Sequence, residues 1–71
     1  MKTLTAYIEF DEETGLYVGI IPGIPGLHSQ AKTLDSLNKN LKEVVELCKK
    51  ENPEAFSGIS RFIGLQQIEV A

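Results

Sequence analysis

Five residues in the first half of the chain, Pro22-Gly23-Ile24-Pro25-Gly26, constrain the fold more than any other stretch. Proline has no backbone donor for a sheet ladder, and glycine supplies the positive φ of tight turns, so neither a helix nor an interior strand passes through them. They fix a corner. Residues 15–21 before it form an apolar strand, and residues 27–32 after it form a second extended stretch that delivers the chain to a helix starting at Thr33.

The 71 residues suffice for one domain, residues 1–71, and a domain this small commonly needs an oligomer partner, a metal or disulfides to reach useful stability. Cys48 is the only cysteine and His28 the only histidine, so an internal disulfide is impossible and a four-ligand structural zinc site is not expected. Self-association remains. No signal peptide and no apolar run near membrane-spanning length is visible, which predicts a cytoplasmic protein with no membrane association and no cofactor. The net charge of −3 argues against nucleic acid as the partner. No lysine or arginine occurs between Lys2 and Lys32, whereas Glu9, Asp11, Glu12 and Glu13 cluster at the tip of the first hairpin. Such a cluster keeps a turn solvated or faces a basic partner.

Residues 3–10 alternate, with Leu4, Ala6, Ile8 and Phe10 on one side and Thr5, Tyr7 and Glu9 on the other, the period of a half-buried strand. Asp11-Glu12-Glu13-Thr14-Gly15 forms the hairpin loop, with Gly15 in the left-handed conformation. It lacks the alternating oxygen ligands and distal Glu of a calcium loop. Leu16, Val18 and Ile20 lie on one face of the next strand and Tyr17, Gly19 and Ile21 on the other, predicting a central strand packed on both sides. Tyr17 and Gly19 suit either core packing or a ligand-facing surface.

Thr33 is the expected N-cap, and Leu34, Leu37, Leu41, Val44, Val45 and Cys48 form an apolar stripe along a helix that runs to about Lys50 and stops at Asn52-Pro53. Asn38, Lys42, Glu46 and Lys49 face outward. Cys48 is read as a small core residue, since a thiolate is disfavoured at a helix C-terminus. His28 has no specified partner for acid/base work and is read as a loop or strand histidine. Residues 53–60 include about one helical turn, and residues 61–70 form the last strand. Its apolar residues change phase: Phe62, Ile63 and Leu65 precede Gln66-Gln67, and Ile68 and Val70 follow. A bulge at the glutamines, or burial on both faces by another subunit, accounts for the break. An uncovered apolar strand is an aggregation hazard, so Phe62, Ile63, Leu65, Ile68 and Val70 are expected in the interface of a homo-oligomer, a dimer or tetramer.

Three strands, a helix and a fourth strand make an α+β fold, βββαβ, with the helix packed on a mainly antiparallel sheet. Asp11, Gly15-Leu16-Tyr17-Val18, the run from Pro22 through Gly26 to Leu27-His28-Ser29-Gln30, and Lys32-Thr33-Leu34 resemble the HicB-like antitoxin family over nearly the whole chain. The resemblance implies a truncated ribonuclease-H-like fold that is not itself a nuclease, and a small basic, mRNA-cleaving, HicA-like toxin whose active site the protein covers. It makes Glu9, Asp11, Glu12, Glu13, Pro22, Pro25 and His28 candidate toxin contacts. Members usually carry a further DNA-binding domain, and this sequence ends at Ala71, which argues against direct DNA binding. A relic ribonuclease-H enzyme would need more convergent carboxylates than Glu9 and Asp11, so no catalytic residue is expected. The alternative function is an orphan oligomeric module that binds a small ligand or another protein without a toxin.

Overall fold

The computed structural model describes residues 3–71. Three strands, β1 (Tyr7–Asp11), β2 (Leu16–Ile20) and β3 (His28–Ala31), form an antiparallel sheet in the order β1-β2-β3. The helix α1 (Leu34–Glu51) follows, then a single 3₁₀ turn, Pro53–Phe56. The α+β architecture with an antiparallel sheet and one helix is the one read from the sequence.

Each corner is fixed by local chemistry. In the first hairpin the Gly15 amide donates to the Asp11 carbonyl at 2.8 Å, and Gly15 has φ of 73°. At the second corner Gly23 and Gly26 have φ of 88° and 79°. The Leu27 amide donates to the Ile24 carbonyl at 3.2 Å, so Ile24-Pro25-Gly26-Leu27 is a type II turn with proline and glycine in their preferred positions. The Thr33 hydroxyl accepts from the Ser36 amide at 3.1 Å, which caps the helix as expected. At the other end the Asn52 amide donates to the Cys48 carbonyl at 2.7 Å.

The core runs through the turn as well as under the helix. Among the described residues the buried large apolar side chains are Ile21, Ile24, Leu27, Leu37 and Leu41. Three of these five lie in the proline-glycine corner, Ile24, or directly flank it, Ile21 and Leu27, so the corner folds these apolar residues inward as a plug instead of lying on the surface. Ala6, Val45, Cys48, Phe56 and Ile59 pack around that plug. Cys48 is a half-buried free thiol in this layer, the core role assigned to it.

Gly19 sets how closely helix and sheet approach. A Cβ built on it would lie 2.7 Å from Leu41 Cδ1 and 3.4 Å from Leu37 Cδ2, so only glycine admits both leucines. This settles the two readings of Gly19 in favour of close helix packing. Tyr17, on the same face, packs edge-on against its cross-strand neighbour Phe10 with centroids 5.1 Å apart, a contact at the rim of the sheet that leaves Phe10 52% exposed.

Four expectations are corrected. The ladder of β1 begins at Tyr7, because no described strand pairs with residues 3–6. The central strand is covered on one face only: Ile20 is 43% exposed, and Leu16 and Val18 are half-buried. Leu34 opens the apolar stripe of α1 yet is 54% exposed; the helix buries Leu37 and Leu41 instead. Finally, residues 61–70 form no strand and no bulge within the single chain, and Ile63, Leu65, Ile68 and Val70 are each about three-quarters exposed or more. A strand exists only where a ladder partner accepts its backbone bonds, and the described residues supply none to this segment.

Candidate functional site

The two faces of the sheet follow from register and alternation. Gly19 pairs with Ile8 and Ser29, and Tyr17 pairs with Phe10 and Ala31, so these six residues share the face that meets α1. The pairs Tyr7 with Ile20 and His28, and Glu9 with Val18 and Gln30, lie on the opposite face together with Asp11 and Leu16. No described element packs over that second face.

This open face is the candidate site. Its middle is an apolar stripe of Tyr7, Leu16, Val18 and Ile20, with Tyr7 41% and Ile20 43% exposed. Glu9 and Asp11 flank the stripe on β1, two residues apart and therefore on one side of the strand. His28 and Gln30 flank it on β3, both exposed. A solvated sheet face normally alternates polar residues along its strands, and a central apolar stripe with a polar rim has the composition of an interface.

The hairpin tip adds further charge. Glu12 and Glu13 are exposed just beyond Asp11. Asp11 itself is bound into the turn: its Oδ1 accepts from the Glu13 amide and its Oδ2 from the Thr14 hydroxyl, both at 3.0 Å. Its carboxylate thus organises the loop that displays Glu12 and Glu13. That role is readable from the Asp-x-x-Thr-Gly spacing, because an Asp side chain bonds readily to groups two and three residues ahead.

The residues assigned to contact a partner do not converge on one spot. Asp11, Glu12 and Glu13 sit at the hairpin end of the sheet, Glu9 in the middle of β1, and Pro22, Pro25 and His28 at the other end. Four residues of strand, about 13 Å, separate the ends. Pro25 and His28 are exposed, whereas Pro22 is half-buried beside the plug. The open face connects the two groups, and the sequence reading missed Tyr7, Val18 and Ile20 as its centre. Their signal was the surplus of apolar residues on both sides of β2.

Among the described residues no three Asp, Glu, His or Cys side chains are grouped so as to hold a metal ion. No helix among them is long and apolar enough to cross a membrane.

Residues 3–62 match the family described as Domain of unknown function (DUF1902). The chain belongs to the DUF1902 family. It is also similar to UPF0150 proteins of known sequence. One from Thermotoga maritima is 41% identical over 69 residues, 97% of this chain and 91% of the relative. Another, from Archaeoglobus fulgidus, is 44% identical over 63 residues, 89% of this chain and 87% of the relative. A third, from Synechocystis, is 41% identical over 63 residues with the same coverage. No solved structure matches the chain. The DUF1902 match spans the sheet, the helix and the 3₁₀ turn, and therefore every residue of the open face.

Proposed function

We propose that this DUF1902 chain is a HicB-like inhibitory module that acts by binding: it meets a small basic, RNA-cleaving toxin with its open sheet face and acidic hairpin tip and covers the toxin's active site. The observation that carries the reading is the conjunction of an uncovered apolar stripe, Tyr7, Val18 and Ile20, with the carboxylates of Glu9, Glu12 and Glu13 at one end of it. A surface that binds RNA phosphates is basic, so a competitor that presents carboxylates is steered to it and held in orientation. The apolar stripe supplies the desolvated centre that charge alone does not provide.

The test is to look beside this chain's gene for one encoding a short basic HicA-like ribonuclease, whose absence would overturn the proposal, and to assay RNA cleavage by the purified ribonuclease. Cleavage is expected to stop at stoichiometric amounts of the chain. The double substitution Glu12→Lys and Glu13→Lys is expected to weaken the complex roughly tenfold and to flatten its salt dependence. Undiminished cleavage by that ribonuclease would overturn the proposal. Unchanged affinity and salt dependence in the double variant would remove its electrostatic part.

A further inference from the structure

Between the helix and the start of the chain lies a groove of about 1050 Å³. Residues 3–7 wall it on one side and Leu41, Lys42, Val45 and Lys49 of α1 on another, and Phe56 with residues 58–62 of the same chain forms a third wall. Its floor reaches the core, because Ile21 and Leu41, 4% and 6% exposed, both line it. The third wall is anchored from below: Ile59 packs on the core cluster, and its Cγ2 lies 3.6 Å from where a Cβ on Gly23 would stand.

The charges around this groove are the reverse of the chain's. The sequence has ten acidic and seven basic residues, yet none of the ten lines the groove, while Lys42, Lys49 and Arg61 do. Lys42 and Lys49 stand two turns apart on one side of α1 with Val45 between them, and Arg61 comes from the third wall. Glu46, one turn on from Lys42, lies outside the lining. All three cations are exposed, so their charged heads stand at the mouth while their stems cover apolar wall. In a chain of net charge −3, an apolar floor beneath a rim of cations alone is complementary to a molecule with an apolar body and a negative head.

We infer that this groove binds an amphipathic carboxylate of fatty-acid type, its alkyl chain along Leu41, Val45 and Phe56 and its carboxylate at the rim of Lys42 and Lys49. The rim selects the head. Lysine is a point charge on a flexible stem, whereas a phosphate is held best by forked guanidiniums or by the free amides of a helix N-terminus. Here the rim has one arginine, and the part of α1 that walls the groove is its second half. The floor selects the body, since its buried residues, Ile21 and Leu41, are aliphatic. The volume is at the upper end of small-molecule sites, about 300–1,000 Å³, so an alkyl chain enters without opening the core. The inference does not depend on the toxin reading, whose surface is centred on Val18 and Ile20 across the sheet.

Calorimetric titration of the full chain with dodecanoate, kept below the concentration at which it forms micelles, is expected to give saturable binding of one molecule per chain. Dodecanol has the same alkyl chain without the charge and is expected to bind about tenfold more weakly, and dodecylammonium, of opposite charge, is expected not to saturate. The double variant Lys42→Glu and Lys49→Glu alters two exposed positions and is expected to weaken dodecanoate binding about tenfold or more with its helical circular dichroism unchanged. Arginine at both positions is expected to preserve binding. In the unaltered chain the dodecanoate-induced shifts of backbone amide resonances are expected at Leu41, Val45, Phe56 and Ile59, with Val18 and Ile20 still. Failure of dodecanoate to saturate, equal binding of dodecanol, or an affinity indifferent to the charge reversal would each overturn the inference, and shifts centred on Val18 and Ile20 would do the same. The comparison of the three ligands uses only the unaltered chain, so it decides the matter even where the reversed variant loses its fold.

Discussion

Gly19 and Ile20 are neighbours in β2, and they live in different worlds. Gly19 is buried beneath Leu37 and Leu41, where even a methyl group has no room, while Ile20 is 43% exposed with no described element above it. One strand thus carries close helix packing on one face and bare apolar surface on the other. The lesson is that apolar residues on both sides of a strand need not mean that the monomer buries both. Here one side builds the fold and the other is covered by no described element.

The contrast is sharpest in stability. Leu37 is 1% exposed, and Leu37→Ala should cost about 2–5 kcal/mol, measurable as a lowered midpoint in urea. Ile20→Ala, on the other face of the same sheet, should cost much less, since much of its side chain is already in water. Equal losses at the two sites would break the comparison. Gly19→Ala comes next, at about 1–3 kcal/mol, because a methyl 2.7 Å from Leu41 Cδ1 must displace that side chain. The double variant Gly19→Ala with Leu41→Ala should recover part of the loss, a coupling that a thermal denaturation cycle can detect.

Smaller effects sharpen the picture at the corners. Thr33→Ala removes the bond to the Ser36 amide and should lower stability by about 1 kcal/mol, visible as a lower thermal midpoint. Asp11→Ala should cost about 0.5–1.5 kcal/mol by releasing the Glu13 amide and Thr14 hydroxyl, and it should loosen the hairpin tip in amide exchange before it affects the core.

Much of the scaffold was legible in the sequence because its signals are local. The left-handed Gly15, the Pro-Gly corner, the Thr33 cap and the stop at Asn52-Pro53 each follow from the chemistry of a few adjacent residues. Ile24 was missed as a core residue because it sits between two Pro-Gly pairs, where turn chemistry dominates the reading. The three-residue spacing of Ile21, Ile24 and Leu27 was the available sign that the corner tucks inward. The fate of residues 61–70 was not legible for a different reason. Their composition is that of a strand, but a strand is defined by the edge it pairs with, and no local pattern states which edge that is. The candidate contacts on the hairpin and the Pro-Gly corner were named separately; only the register of β1, β2 and β3 shows that one uncovered face runs between them.

The proposed division of labour between the two faces is tested most directly by following the backbone amide resonances of the chain while a HicA-like ribonuclease encoded beside its gene, the partner proposed above, is titrated in. The account predicts that the largest shifts fall on Tyr7, Glu9, Val18, Ile20 and the Glu12 to Glu13 tip, with α1 almost silent. Shifts concentrated on the exposed side of α1, at Asn38, Lys42 and Glu46, with the open sheet face unmoved, would contradict it.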